Sequence, residues 1–406
     1  MPLSDESPRR SLDALVERIA PVAAEGASVQ PAASVAGRVL AAAVTLDRDS
    51  PACEASAMDG YAVRAAELNA DDAVAAGLSV EGECRIGAEP TPLPLGVARR
   101  IYTGCPVPPG ADAVVRLERV DAIEDAIRLV GDHRVTPGED IRRRGENASA
   151  GDAVLPPGRP LDTAAMAALA SSGQPTASVH RPLRVAVVTT GDELEPAGSG
   201  ALPPWRLRDS NGPSLAAMLA PLPWVKDVSL GHADDTLAGL TATLAETIAR
   251  HDAVVLTGGV SKGAYDFVPD AVRAVGGDVA FHRIAARPGR PTLGATLDGK
   301  PIVGLPGNPV SVLTAGRRLL VPALRARAGL AVIDPPCPVV TLAAWSGKTL
   351  PIAWWRPVRI VGDGVAELVA LRGSGDPCGP AESDGFVEVP PGRDDRGPFA
   401  YRAWRA

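Results

Sequence analysis

A chain of 406 residues, 46% hydrophobic and 22% charged, is long enough for two to four domains and has the make-up of an ordinary globular protein. Its formal net charge of −7 excludes broad nucleic-acid binding, which needs a basic footprint, but leaves room for a local basic pocket for a small anion. The five scattered cysteines form no CxxC pair, and the five histidines show no ligand spacing. There is no apolar signal core and no run of roughly 18 apolar residues, so neither a zinc site nor a membrane span is expected, and a cytoplasmic setting is.

Residues 10–23 carry Leu12, Leu15, Val16 and Ile19 at helical spacing, which predicts an amphipathic helix. From about Ser50 to Asn147, short apolar runs are broken by Gly, Pro and Asp, the texture of a β-rich domain. Residues 161–173 predict a helix ended by Gly173, and His180-Arg-Pro-Leu reads as a hinge. RVAVVTTGDEL is a buried-type strand running into a glycine turn. The following helix is expected to be capped by Ser210 or Asn211. Residues 236–250 place Leu237, Leu240, Leu244 and Ile248 on one helical face. DAVVLTGG and PIVGLPGNPVS supply two more strand-to-loop transitions, the second running into a helix. Strand–loop–helix repetition of this kind predicts a parallel sheet with helices on both faces, and ligands at the carboxyl ends of its strands. From about residue 335 the texture is β again, with a hairpin around Gly362-Asp363-Gly364.

The loop GGVSKGAYD is neither a phosphate-binding P-loop, since Ala264 stands where that motif needs lysine, nor a dinucleotide fingerprint, since the glycine order is missing. It leaves backbone amides at a strand end with Lys262 and Asp266 nearby. The plain alternative is a tight turn in which Asp266 caps the next helix. Asp192 and Glu193 at the preceding strand end suit a hard cation such as Mg²⁺, or a solvated turn. Asp59-Gly60 is a common turn dipeptide. Arg142-Arg143-Arg144 reads as an anion site or a solvated face. Arg283, Arg287 and Arg290 flank a Pro-Gly turn, and LPGNPVS offers free amides at a helix start; both suit an anion.

Taken in order, SAMDGYAV, YTGCPVPPGADAVVRLE, IRRRGEN, TTGDEL, DSN, LTGGVSKGAYD, ARPGRP and GLPGNPVS resemble the MoeA family, the molybdopterin molybdenumtransferases that include the E domain of gephyrin. The resemblance runs from about residue 10 to the end and is densest from Ser56 to Ser311. It implies a multidomain α/β plus β fold. The expected parts are a small mixed linker and dimerisation domain (1–48 with 148–182), a β-rich domain (49–147), a three-layer, MogA-like α/β molybdopterin-binding domain (183–327) and a C-terminal β-barrel-like domain (328–406).

The activity implied is Mg²⁺-dependent insertion of molybdenum from molybdate into adenylylated molybdopterin, with release of AMP, by a homodimer. Nucleic acid and membrane are not implied partners; other cofactor-biosynthesis proteins and molybdoenzymes are. By position, Asp59, Thr103, Glu193 and Asp266 match catalytic residues of the active cleft, with Glu193 and Asp266 also matching metal ligands. Asp234 or Asp235 matches a further acid. Gly258, Gly259, Ser261, Arg283, Arg287, Arg290, Pro306, Pro309, Ser311 and Ser374 match substrate-binding positions.

The chain departs from the family pattern at Asn147, where the family has Asp, at Ala264, where it has Glu, and at Pro351, five residues before Arg356, where it has Arg. Lys262 stands where the family has an apolar residue. These departures keep open a non-catalytic molybdopterin-binding paralogue or a scaffold as alternatives. A related nucleotide hydrolase fits less well with the flanking β domains.

Overall fold

The computed structural model describes residues 6–261, 263, 266–345 and 347–405. It comprises two compact units: Met1–Ala42 with Pro156–Met166 and Thr176–Ala406, and Ala43–Leu155 with Ala167–Pro175.

In the first unit, helix α1 (Pro8–Val16) starts on the Ser7 side chain, which accepts from the Arg10 amide at 3.4 Å. Leu12 and Leu15 are fully buried, as their spacing predicts. The helix begins two residues earlier than expected and ends at Val16 instead of reaching 23. Downstream amides are spent on tertiary contacts, Ala20 N–H on the Gly299 carbonyl and Val22 N–H on that of Arg327, so no helical ladder can continue there.

The central sheet contains β1 (Leu183–Thr190), β2 (Val225–Ala233), β3 (Ala253–Thr257), β4 (Asp278–His282), β5 (Leu293–Leu297) and β6 (Lys300–Leu305), in the order β2-β1-β3-β6-β5-β4. The four strands β2, β1, β3 and β6 are parallel, as expected. The fully parallel expectation fails at the edge, where β5 runs antiparallel to both neighbours. The reason lies in Asp298-Gly299, whose φ values of 51° and 72° make the tight hairpin turn that Asp-Gly favours.

Helices α2 (Asn211–Leu219), α3 (Leu237–Arg250), α4 (Val268–Ala274), α5 (Pro309–Ala315) and α6 (Val321–Arg327) cover the sheet. Strand β1 alternates between two cores. Val185 and Val187 pack with Leu12, Leu215 and Val312, while Ala186 and Val188 pack with Leu240, Leu244 and Val272. Residue alternation thus produces the three-layer α/β arrangement. Leu237, read as part of the buried face of α3, is 40% exposed because it sits on the first turn, beyond the core.

Arg181, read as hinge-like, is anchored. Its guanidinium makes two bonds of 2.7 and 2.5 Å to Asp252, at the head of β3. Buried Arg327, on α6, reaches the same residue: Nε donates to the Asp252 carbonyl at 3.2 Å and Nη2 lies 3.7 Å from Oδ1.

Towards the C-terminus, Val339–Leu342, Ala353–Gly362, Val365–Leu368, Gly385–Val389 and Phe399–Ala403 close into a five-stranded barrel, because Ala353–Gly362 pairs with both Val365–Leu368 and Gly385–Val389. The expected Gly362–Gly364 hairpin is one of its corners. Val340, Leu342, Val358, Val387 and Phe399 fill it.

The second unit is β-rich, as its texture predicts. Its six-stranded sheet runs Ala113–Arg116, Gly60–Val63, Val97–Ile101, Leu78–Glu83, Ala126–Leu129, Val120–Ile123. Gly60 is required by close approach: a Cβ there would lie 2.1 Å from the Val115 carbonyl oxygen.

Candidate active site

The three glycine loops leave β1, β3 and β6 at their carboxyl ends, side by side, because those strands are adjacent and parallel. Gly258 follows β3 with φ 91° and donates to the Leu305 carbonyl at 3.0 Å. A Cβ at Gly258 would sit 2.6 Å from Thr190 Oγ1 and 2.9 Å from its carbonyl oxygen, so two loops touch through a residue that must be glycine. Gly258→Ala is expected to cost about 1–3 kcal/mol, from the disfavoured φ and the displaced Thr190 backbone, measured as a lowered urea midpoint. Gly259 takes φ 62°, and its carbonyl receives the Val268 N–H at 3.0 Å, which starts α4. Asp266 is not the cap of that helix. Its carboxylate turns back to accept from the Gly263 amide and so shapes the loop itself. Lys262 and Ala264 lie outside the described residues.

On the β1 loop, the Glu193 carboxylate folds over Gly191, where a Cβ would approach its Oε2 to 2.8 Å. Asp192 and Asp235 face each other across the loops after β1 and β2, each amide pointing at the other's carboxylate at 3.3 and 3.4 Å. Of the two candidate acids, Asp235 is therefore the one that faces this carboxylate group. Burial pushes its carboxyl up, with the negative charges of Asp192 and Glu193 adding to the effect. Among the described residues, no group of three or more His, Cys, Asp or Glu side chains is gathered tightly enough to form a metal cage.

The start of α2 is capped by Asp209 instead of Ser210 or Asn211: its Oδ1 accepts from the amides of Asn211 at 2.9 Å and Gly212 at 3.0 Å. The Asn211 side chain is used elsewhere, donating to the Gly307 carbonyl at 2.8 Å and fixing the proline loop.

That loop forms one wall of a cavity of about 660 Å³. Arg287, Arg290, Lys348, Arg356, Ser311 and Ser374 line it together with Pro306, and among the described residues no carboxylate does. Pro309 is the first residue of α5 and does not line it. The free-amide expectation for α5 needs correction, because Val310 N–H is already spent on the Ser374 carbonyl at 3.2 Å. The Ser374 loop is folded by Asp376, whose carboxylate accepts from the amides of Arg372, Cys378 and Gly379. A second cavity of about 210 Å³, bounded by Ser261, Arg283, Arg290 and Pro291, shares Arg290 with the first. His282 Nε2 lies 2.7 Å from the Val260 carbonyl and ties the glycine loop beside it.

Pro351, where the resemblance implies an arginine, does not line the large cavity, but Lys348, three residues earlier, does. Arg356 lies over the Trp354 ring at 4.4 Å, and Lys348 Nζ is 5.7 Å from the same ring centroid. Burial pulls the Arg356 guanidinium below its usual range. Cations gathered this closely attract a dianion, which would be held by several of them at once. Sequence reasoning missed Lys348, Trp354, Asp209 and Asp376. For Asp209 the signal was present, since Asp two or three residues ahead of a helix is a strong cap; for Lys348 there was none.

In the second unit, Asp59 and Thr103 are brought together. Asp59 Oδ1 accepts from the Thr103 amide and hydroxyl, both at 2.8 Å. The Thr103 amide bond, then its hydroxyl, hold the Asp59 carboxyl below the ordinary range. The arginine turn is mostly self-paired: Arg142 bonds Glu146 and Asn147, and Arg144 bonds Asp49. Asn147 Oδ1 accepts from Arg142 at 2.6 Å while Nδ2 donates to Ser50 at 3.2 Å. A carboxylate could keep the first bond, but the second would have to reverse, with the Ser50 hydroxyl donating.

Two family models match the chain: the MoeA N-terminal region, domains I and II, over residues 7–173, and a probable molybdopterin binding domain over 186–326. A protein from Nostoc named molybdopterin molybdenumtransferase is 36% identical over 302 residues, covering 73% of this chain and 68% of that protein. One from Mycobacterium tuberculosis named molybdopterin molybdenumtransferase 2 is 36% identical over 312 residues, 74% and 75% of the two chains. A solved MoeA protein of molybdopterin biosynthesis from Pyrococcus horikoshii superposes with a TM-score of 0.77 at 28% identity, over 99% of this chain and 100% of that one. Matched by both family models over 7–173 and 186–326, by a 36% identical relative over 73% of its length and by a solved MoeA structure over 99%, the chain belongs to the MoeA family of molybdopterin molybdenumtransferases.

Proposed function

We propose that this protein is a molybdopterin molybdenumtransferase that moves molybdenum from molybdate onto the dithiolene of adenylylated molybdopterin, with AMP as the leaving product, acting as a Mg²⁺-dependent cytoplasmic homodimer. The observation that carries the reading is the large cavity, whose wall gathers Arg287, Arg290, Lys348 and Arg356 with Ser311 and Ser374. Guanidinium forks and hydroxyls suit a tetrahedral oxyanion. The adjoining Ser261–Arg283–Arg290 cavity suits the phosphate of the pterin nucleotide, so the two anionic reactants would share Arg290. Holding both in one cleft offsets their repulsion and orients them, which is most of what such a transfer asks of the protein.

Glu193 and Asp266 at the strand ends would be the cation's protein ligands, with substrate oxygens completing its shell, since the described residues form no three-acid cage by themselves. Burial, with the charges of Asp192 and Glu193 adding to it, raises the Asp235 carboxyl, and Asp266 stands on the neighbouring loop. Mg²⁺ bound to such oxygens would polarise the phosphoanhydride. No helix of the described residues is long and apolar enough to cross a membrane.

Purified protein given adenylylated molybdopterin, molybdate and Mg²⁺ should release AMP in step with cofactor formation, lose that activity in EDTA and regain it on Mg²⁺ addition. Intact substrate with no AMP release under those conditions would remove the catalytic claim and leave a pterin-binding paralogue.

A further inference from the structure

We propose that Arg100, clamped between the rings of Tyr61 and Tyr102, is the positioning residue that holds Asp59 and the Thr103 turn in their working arrangement. The inference rests on Asp59 acting in the proposed transfer, but its geometry stands on the second unit alone. Strands Gly60–Val63 and Val97–Ile101 are antiparallel, with Tyr61 opposite Arg100. Directly opposed residues share a face, so Arg100 lies beside Tyr61, while Asp59 and Tyr102 stand just past the ends of the two strands. The Arg100 guanidinium carbon lies 5.1 Å from the Tyr61 ring centroid and 5.5 Å from that of Tyr102. Both distances are within cation–π range. One ring follows Asp59 by two residues and the other precedes Thr103 by one, so the cation bridges the two segments whose side chains must meet.

The clamp is itself braced. Tyr61 is buried, and the Tyr102 hydroxyl lies 3.1 Å from Glu83 Oε2 on the next strand. Arg116, on the other neighbouring strand, is committed to Asp140 at 2.5 and 2.8 Å, while Glu118 lies on the turn whose Leu117 amide donates to the Asp59 carbonyl. The Thr103 amide and hydroxyl bonds are the main hold on the ionised Asp59 carboxylate, and the charge of Arg100, which has no salt bridge among the described residues, adds a smaller push the same way. The aromatic pair fixes the charge where a carboxylate partner would have cancelled it.

The test is the Asp59 carboxyl signal in full-length protein labelled with carboxyl-¹³C aspartate and assigned by its loss in Asp59→Asn. Arg100→Gln should move its titration upward, toward that of a free aspartate. Arg100→Lys, which keeps the charge, should restore part of the displacement, and Tyr102→Leu, which loosens the clamp, should move it upward. In the AMP-release assay, Arg100→Gln should lower kcat several-fold with little change in KM for the pterin, and its acid limb should shift upward. An unchanged Asp59 titration in folded Arg100→Gln overturns the proposal, whatever the activity. A shifted titration in a protein that releases no AMP would sink the transferase reading and leave this one intact.

Discussion

Asp252→Ala should destabilise the first unit by about 3–5 kcal/mol, the cost of stranding buried charge when one partner of an ion pair is removed. Asp252 is 3% exposed and takes five contacts: two bonds from Arg181, one from the Arg184 amide at 2.9 Å, and two from Arg327 through its carboxylate and carbonyl. Arg327 is itself 6% exposed, so it has no route to water once its partner is gone. Asp252→Asn keeps the shape and should lose less. The same cluster sets an acid dependence. Burial pushes the Asp252 carboxyl up, but the Arg181 bonds, the Arg184 amide and the charges of Arg181 and Arg327 outweigh it and hold it below the usual range. A carboxylate lowered on folding stabilises above its unfolded value, about 3.9, and that stabilisation is lost as pH falls through the folded value. Urea midpoints of wild type and Asp252→Asn should therefore converge on acidification. A difference that grows toward low pH would refute the assignment.

Arg356→Met should raise the molybdate dissociation constant about 10- to 100-fold, the loss of a charged hydrogen bond worth about 1.5–3 kcal/mol. Equilibrium dialysis with molybdate reads it without needing the pterin. Methionine keeps much of the packing on Trp354 while removing the charge. Arg356→Lys should recover only part of the affinity, because an ammonium cannot make the two-pronged contact of a guanidinium. Lys348→Met should weaken binding too, by less, since its side chain is exposed. Pro351→Arg should do little, because residue 351 is not in the cavity wall. Unchanged dialysis curves for Arg356→Met would mean that the cavity does not hold the oxyanion.

Much of this arrangement could be read from the residues in advance. Periodicity found α3 through Leu240, Leu244 and Ile248, and glycine turns after apolar runs placed Gly258 and Pro306 at strand ends. Edge topology was missed because only strands running into glycine loops were picked out, and the Asp298-Gly299 hairpin signal between β5 and β6 was passed over. The helix at 10–23 was read too long because its amphipathic pattern cannot register that the amides of Ala20 and Val22 are claimed by distant carbonyls. The cavity was half legible. Arg287, Arg290, Ser311 and Ser374 announced themselves in motifs, whereas Lys348 sits in a stretch whose register no local pattern fixes, so its place in the wall becomes visible only once the barrel closes. Asp266 does not cap α4, and Asp209 caps α2 in place of Ser210 or Asn211, for a similar reason: which residue caps a helix depends on loop path as well as on residue type.

The alternation along β1 has a consequence for how the first unit comes apart. Val185 and Val187 answer to one core, Ala186 and Val188 to the other, on one continuous backbone. Neither layer can loosen without straining a strand that the other holds. The two cores therefore melt as a single cooperative block, and the amides of β1, β3 and β6 should be the last to exchange with solvent.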